Sequence, residues 1–277
     1  MTAGSLKIRR GLPGFRLTLG FTLVYLTLIV LIPLGGLFLR AAGIGPTGAW
    51  TLLTQPRAIS AFQVSFGIAL LAALIDAPLG LLLAWVITRY RFTGQRFVTS
   101  LIDLPLALPT AVAGVALTAL YADTGWIGHL LEPWGIQIAF TPWGILVALM
   151  FVGLPFVVRT VEPVLQELAG GVEEAAKTLG ASPRQTFFRV ILPEILPAML
   201  TGTALAFARG VGEYGSVIFI AGNMPGVSEI VPLLIVTRLE EYNYAGAAML
   251  GVAMLVASFS LLLLINLLQY WARRYDR

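Results

Sequence analysis

Two charged residues, Arg209 and Glu213, stand in a long apolar run and are the side chains whose types and spacing most suggest chemistry. Three glycines beside them, Gly210, Gly212 and Gly215, spell G-x-G-x-x-G, the pattern of a turn that binds a dinucleotide. Such a turn needs a preceding strand and a helix that begins at the glycines, and the sequence predicts neither. The stretch is therefore better interpreted as a charged point inside an apolar segment than as a phosphate-binding loop.

The spacing of Arg209 and Glu213 predicts that they pair, because residues four apart lie on one face of a helix. An isolated charge at the middle of a membrane costs about 2.5–3.5 kcal/mol, which pairing offsets. Two interpretations stay open. The pair either locks one helix to its neighbours, or Arg209 lies along the path of an anion.

The composition indicates an integral membrane protein. Of the 277 residues, 58% are hydrophobic and only 12% are charged, whereas soluble domains carry roughly 25% charged residues. The absence of cysteine excludes disulfides, thiolate chemistry and cysteine-based metal sites.

Six apolar windows approach the length of about 20 residues that a helix needs to cross a bilayer. We therefore predict an all-α membrane protein with a single domain of six transmembrane helices, at approximately 15–39, 62–87, 101–121, 141–158, 196–221 and 245–269.

Lys and Arg residues are distributed unevenly between the two sides of the predicted helices. Fourteen lie at the two termini and in the connections after the second and fourth windows, against three on the opposite side. Because cytoplasmic loops carry the excess of positive charge, both termini are predicted to be cytoplasmic.

The cytoplasmic connection 159–195 is too patterned to be a simple turn. Good helix formers, from Glu173 to Lys177, are followed by Gly180, which can end a helix in a left-handed conformation. Ser182 and Pro183 then predict the start of another helix. We expect two short helices that meet at a bend along the cytoplasmic face.

The order of residues in this connection resembles the E-A-A-x3-G-x9-I-x-L-P signature of ABC importer membrane subunits, with Val190 in place of isoleucine. The resemblance implies a type I ABC importer permease fold and a coupling helix that sits in a cleft of a separate ATPase subunit. The ATPase-coupling residues it implies are Glu173, Glu174, Ala175, Ala176, Gly180 and Pro193.

Further stretches are similar to the T-type subunit of sulfate and thiosulfate importers: RYRFTGQ, DLPLALPTAVAG, GLPFVVRTVEPVL and GEYGSVIFIAGN. The resemblance implies a protein of the bacterial inner membrane that imports sulfate or thiosulfate by alternating access. The implied partners are a W-type permease paralogue, two ATPase subunits and a periplasmic sulfate-binding protein. ATP and Mg²⁺ would be used by the ATPase subunits, with no cofactor bound by this chain. Molybdate and tungstate permeases have similar motifs and are the alternative.

Other function classes find little support. No G-x-x-x-x-G-K-[ST] occurs, so the chain has no P-loop of its own, and a nucleophile–base set or metal cluster is also missing, which argues against an enzyme. Alternating charges without an aromatic ladder argue against nucleic-acid binding. A secondary anion transporter that works without ATPase partners remains the alternative from another class.

The candidate anion path consists of Arg209, Gly212, Glu213 and Asn223. Asp76 would repel an anion, so we interpret it as a structural hydrogen-bonding group rather than a path residue. The lone His129, in an outer loop, is expected to be solvated rather than to bind a metal.

Overall fold

The computed structural model describes residues 15–168 and 171–274, and within these ranges all regular structure is helical. The α-helices are α1 (Phe15–Leu26), α2 (Ile32–Ala42), α3 (Gly45–Leu53), α4 (Pro56–Arg89), α5 (Gln95–Ala107), α6 (Thr110–Tyr121), α7 (Trp126–Leu131), α8 (Pro142–Glu167), α9 (Gly171–Thr178), α10 (Pro183–Thr186), α11 (Leu192–Val211), α12 (Val217–Ile220), α13 (Val231–Glu240) and α14 (Tyr244–Arg274). Two π-helical segments, Thr27–Leu31 and Phe187–Ile191, precede α2 and α11, and a 3-10 turn, Glu132–Trp134, follows α7.

The all-α membrane class predicted from the sequence is confirmed. Five helical stretches are long and apolar enough to cross a bilayer, and a bent pair brings the number to six if it counts as one span. The five stretches are Leu17–Ala42, Pro56–Arg89, Pro142–Glu167, Pro183–Val211 and Tyr244–Ile265. The basic residues before residue 15 that were used to predict the orientation lie outside the described ranges.

The third predicted window, 101–121, is not one straight helix. It is divided between α5 and α6, and the chain bends by 115° between α5 and the helical stretch Thr110–Trp134. Pro109 accounts for the break, because proline disfavours the helical conformation in the residue before it. Leu108 is accordingly extended, with φ −78° and ψ 137°.

The helices in the fourth and fifth windows end at residues other than those predicted. The fourth helix continues past residue 158 to Glu167, so Arg159 lies on a helix rather than in a loop. The fifth helix ends at Val211, although the window extends to residue 221. Glycines at 212 and 215 favour this early end, since glycine is a poor helix former.

The centre of the bundle is formed by α4, α8 and α11, which approach one another closely at small residues. A methyl group added at Gly80 would lie 2.6 Å from Cγ1 of Val157, and one added at Gly202 would lie 2.8 Å from the Cα of Val157. Helices in a membrane gain no hydrophobic energy by leaving lipid, so close packing at small residues is what holds them together.

The N-terminal helices are the least enclosed part of the bundle. The most apolar part of the stretch Leu17–Ala42 is not buried at all, whereas 61% of the corresponding part of α8 is buried. Both α2 and α3 return to the bundle, where α2 packs along α14 and α3 contacts α4 and α14. The side chains from Leu17 to Ile32 are therefore exposed on the surface of the protein.

Replacing Gly202 with alanine tests the close packing of α11 on α8. We expect the thermal midpoint of the protein in detergent to fall, because the added methyl group meets the backbone of Val157 and overpacking costs about 1–3 kcal/mol. Gly67→Ala in α4 is the matched control, since nothing lies within 4 Å of the added methyl group. Equal midpoints for the two variants would contradict the packing argument.

Candidate functional site

The connection between α8 and α11 contains the two short helices that the sequence predicts. The first, α9, ends at Thr178 and is followed by Gly180, whose φ of +80° is left-handed as expected. The backbone N–H of Ala181 donates to the carbonyl of Ala176 (3.0 Å), and that of Gly180 donates to the carbonyl of Lys177 (3.0 Å). This is the Schellman arrangement, and a left-handed glycine makes it possible.

The second arm of the connection begins with a capping box at Ser182. The Ser182 hydroxyl accepts from the N–H of Gln185 (3.3 Å), while the Gln185 side chain accepts from the N–H of Ser182 (2.8 Å). Pro183 occupies the first helical position, where its missing N–H costs nothing. The chain then passes through the π-helical segment into α11, with Pro193 in the first turn of that helix.

The four predicted coupling residues that lie on α9 divide between an inner and an outer face of this helix. Ala176 is buried, and Glu173 is half-buried beside Arg89 of α4, with Arg89 Nη2 2.6 Å from Glu173 Oε1. Glu174 and Ala175 are exposed. Val172 and Leu179 are exposed as well, the latter by 88%, so an apolar stripe of Val172, Ala175 and Leu179 faces away from the bundle.

The predicted pairing of Arg209 with Glu213 is present, but the geometry behind it was predicted wrongly. Because α11 ends at Val211, Glu213 lies in a turn beyond the helix rather than on the same helix face. Arg209 Nη1 donates to Glu213 Oε2. The backbone N–H and the hydroxyl of Ser216 both donate to Glu213 Oε1, at 2.9 and 3.0 Å.

The two partners of this pair differ in exposure. The Glu213 side chain is 1% exposed, whereas that of Arg209 is 35% exposed. Glu213 therefore holds its buried turn together, and the guanidinium of Arg209 keeps an accessible side.

Gly215 in this turn and Gly114 in α6 permit close packing, whereas nothing lies near Gly212. A methyl group added at Gly215 would collide with Oγ1 of Thr110, and one added at Gly114 would collide with the carbonyl oxygen of Ser216. The turn thus lies directly against the start of α6. A helix rather than a strand precedes Gly212 and Gly215, so within the described residues the dinucleotide-binding arrangement is absent.

The other two residues of the candidate anion path are exposed. Gly212 lies at the end of α11, and Asn223 follows α12 with a left-handed φ of +47°. Among the described residues neither Arg209 nor Glu213 has a hydrogen bond to Asn223, so no polar contact links the two ends of this segment.

Asp76 lies at the contact of α4 with α8 and α11, and it is 1% exposed. A methyl group added at Gly153 would lie 2.5 Å from Asp76 Oδ2 and 3.3 Å from the Cβ of Ala206. Within the described ranges neither carboxyl oxygen has a hydrogen-bond partner, so the structural hydrogen bond expected for Asp76 is absent.

Further ion pairs were not predicted from the sequence. Arg57 at the start of α4 binds the buried Glu229 with two hydrogen bonds, of 2.8 and 2.7 Å. Arg159 in α8 binds Asp103 of α5 with two hydrogen bonds and donates to Glu162 at 2.5 Å. The partners are 172 and 56 residues apart, a separation that leaves no local pattern to detect.

Within the described ranges, no cluster of three or more His, Asp or Glu side chains could hold a metal ion. His129 lies on the short helix α7 rather than in a loop. Its side chain is exposed, and its Nδ1 lies 3.5 Å from Glu132 Oε2.

Comparison with known proteins places the chain in a family. Residues 76–274 match the family described as "binding-protein-dependent transport system inner membrane component". The chain belongs to this permease family. It is therefore a multi-pass protein of the inner membrane.

Curated relatives of the permease are named as sulfate transporters. The chain is 54% identical to the sulfate transport system permease protein CysT of Synechococcus elongatus, with 92% of both chains covered. It is 46% identical to the protein of that name from Escherichia coli, with 94% of both covered. The likeness to sulfate importer permeases predicted from the sequence is confirmed.

Solved structures support the fold of the permease. The chain matches the crystal structure of a bacterial ABC transporter involved in the import of the acidic polysaccharide alginate, with a TM-score of 0.76 at 18% identity. That match covers 95% of this chain and 96% of the other. A second match, to an amino acid ABC transporter, has a TM-score of 0.54 and 19% identity and covers 79% of this chain and 94% of that one. The predicted fold of an ABC importer permease is confirmed.

Proposed function

We propose that this permease is the membrane-spanning subunit of an ATP-driven importer that moves sulfate or thiosulfate into the cytoplasm. The observation that carries the proposal is the 54% identity to a sulfate permease over 92% of both chains. Relatives from Synechocystis sp., Escherichia coli and Salmonella typhimurium, at 45–50% identity over most of their length, have names with the same substrate.

The chain contributes the passage, and partner subunits contribute the energy. A W-type permease paralogue completes the passage, two ATPase subunits hydrolyse ATP with Mg²⁺, and a periplasmic sulfate-binding protein delivers the anion. A related alginate transporter has been crystallised with its substrate-bound periplasmic protein, which supports the last of these partners. Movement of the partners exposes the passage alternately to the two sides of the membrane.

Contact with the ATPase occurs at the coupling loop, Glu173 to Pro193. Two features of α9 support this role. Its exposed stripe of Val172, Ala175 and Leu179 is an apolar surface with an acidic neighbour, Glu174, and no cover within the described residues. Its end is fixed by the Schellman turn, so the helix can transmit a push as a rigid unit.

The orientation of the permease in the membrane follows from the coupling role proposed for the loop. Arg89, at the end of α4, contacts Glu173, so the end of α4 and the coupling loop lie on one side of the bundle. The pair of Arg57 with Glu229 ties the other end of α4 to the loop before α13. With the coupling loop in the cytoplasm, both termini are cytoplasmic, in agreement with the distribution of basic residues.

The candidate anion path runs past Arg209, Gly212, Glu213 and Asn223. Arg209 is the member suited to attract a dianion, because its guanidinium stays partly exposed while it pairs with Glu213. The pairing weakens that attraction. A passage must release its solute, so moderate attraction suits transport when a separate protein supplies the affinity.

Replacing Ala175 with arginine tests the coupling loop. We expect uptake of labelled sulfate to be abolished while membrane insertion is unchanged, because a bulky charged side chain on the exposed stripe blocks docking of the ATPase. Ala175→Ser is the control that keeps a small side chain and should retain uptake. Normal transport by the arginine variant would remove the coupling assignment.

Replacing Arg209 with glutamine tests the anion path. We expect sulfate flux to fall by at least about tenfold while the complex still copurifies, since a positive charge near the path stabilises the passing anion by more than about 1.4 kcal/mol. Arg57→Gln is a matched control, since it also removes an arginine paired with a buried glutamate. That control should lower assembly and flux together. If Arg209→Gln does the same, the pair with Glu213 is only structural.

Competition for uptake tests the substrate class. In proteoliposomes with the complete complex, we expect unlabelled sulfate and thiosulfate to displace labelled sulfate at concentrations at least about tenfold below those of molybdate or tungstate, a difference of about 1.4 kcal/mol. The reverse order would identify a molybdate or tungstate permease. Uptake that survives ATP depletion, with no copurified ATPase, would identify a secondary transporter.

A further inference from the structure

The cytoplasmic end of α4 contacts the coupling loop, although the two segments are not adjacent along the chain. Arg89 is the last residue of α4, and its Nη2 lies 2.6 Å from Oε1 of Glu173 in α9. Only 15% of the Arg89 side chain and 25% of the Glu173 side chain are exposed. The two atoms form a close ion pair without the alignment of a hydrogen bond.

A second contact joins the same end of α4 to the other arm of the loop. The Arg89 guanidinium carbon lies 5.2 Å from the centre of the Trp85 ring, one turn earlier in α4. Trp85 in turn meets Phe187 edge to face, with ring centres 5.6 Å apart. Phe187 begins the π-helical segment that leads into α11. Arg89 and Trp85 therefore touch the loop both before and after its bend.

The end of α4 is also held in place by the first residue of α5. The side-chain amide of Gln95, the first residue of α5, donates to the carbonyl of Ile87 at 2.6 Å. This bond satisfies one of the carbonyls that a helix leaves unpaired at its end.

We propose that Arg89 is a positioning residue through which the coupling loop moves α4. The proposal rests on the coupling role of α9 given under Proposed function. The loop is covalently continuous with α8 and α11, so those helices follow it directly. The third central helix, α4, has no such link, and it receives the displacement through Glu173–Arg89 and Phe187–Trp85. Because α4 spans 34 residues and packs against both other helices, a push at Arg89 reaches the whole centre of the bundle.

The test is a charge exchange in the complete complex, with sulfate transported per ATP hydrolysed as the measurement. Arg89→Glu and Glu173→Arg should each lower this ratio by at least about fivefold, the lower end of typical coupling effects, while the ATPase still copurifies. The double variant, with both charges exchanged, should recover to within about twofold of the unchanged protein, because the ion pair is restored. Arg89→Lys keeps the positive charge and should retain most of the ratio.

Arg91→Glu is the matched control, because Arg91 is an exposed arginine two residues further along that has no ion pair among the described residues. It should leave the ratio unchanged. If Arg89→Glu behaves like Arg91→Glu, or if the double variant stays as low as the single variants, the proposal is overturned.

The outcome separates this inference from the proposed function. Ala175→Arg blocks docking without touching the Arg89–Glu173 pair, so normal transport by that variant would remove the coupling role of α9 itself. Loss of transport with Ala175→Arg, together with no rescue by the double exchange, would leave docking in place and remove only the role of Arg89.

Discussion

The structure depends on the close approach of α4, α8 and α11 at residues without bulky side chains. In a bilayer, lipid tails are as apolar as leucine, so helices associate through van der Waals contact rather than by escaping water. Gly80, Gly153 and Gly202 permit this contact, since an added methyl group at each would meet a neighbouring helix. The carboxyl group of Asp76 is buried within this contact.

The buried carboxylates of Glu213 and Glu229, unlike that of Asp76, accept hydrogen bonds near helix ends. Glu213 binds Arg209 and the turn that follows α11, while Glu229 binds Arg57 at the start of α4. Removing a single partner from such a pair leaves an uncompensated buried charge, which is more costly than never having had the pair. These ion pairs therefore fix where α4 and α11 sit, and they leave Arg209 as a cation with an accessible side near the turn packed against α6.

The coupling loop combines a fixed inner face with an open outer face. The inner face rests on the end of α4 through Glu173 and on the bundle through Ala176. The outer face exposes small and apolar residues around Ala175. A helix this short has little stability of its own, so its shape comes from the Schellman turn, the capping box and the contact with α4. A local element held at several points can pass a displacement on, and this is the physical reason for the role that we propose for Arg89.

The sequence alone determined the membrane class, most of the spanning helices and the two short helices of the loop, because these depend on apolar length, helix formers and a glycine at the right place. Identity to sulfate permeases confirmed the family that the E-A-A…G…Leu192–Pro193 pattern had indicated. Only the tertiary structure decided the bend at Pro109, the early end of α11 and the partners of Glu229, Asp103 and Glu173. The ion-pair partners lie on distant segments, and a residue 172 positions away leaves no trace in local periodicity. The two helix ends have local causes, but Pro78 and Pro155 lie inside helices, so a proline or glycine in the sequence does not by itself decide where a helix ends.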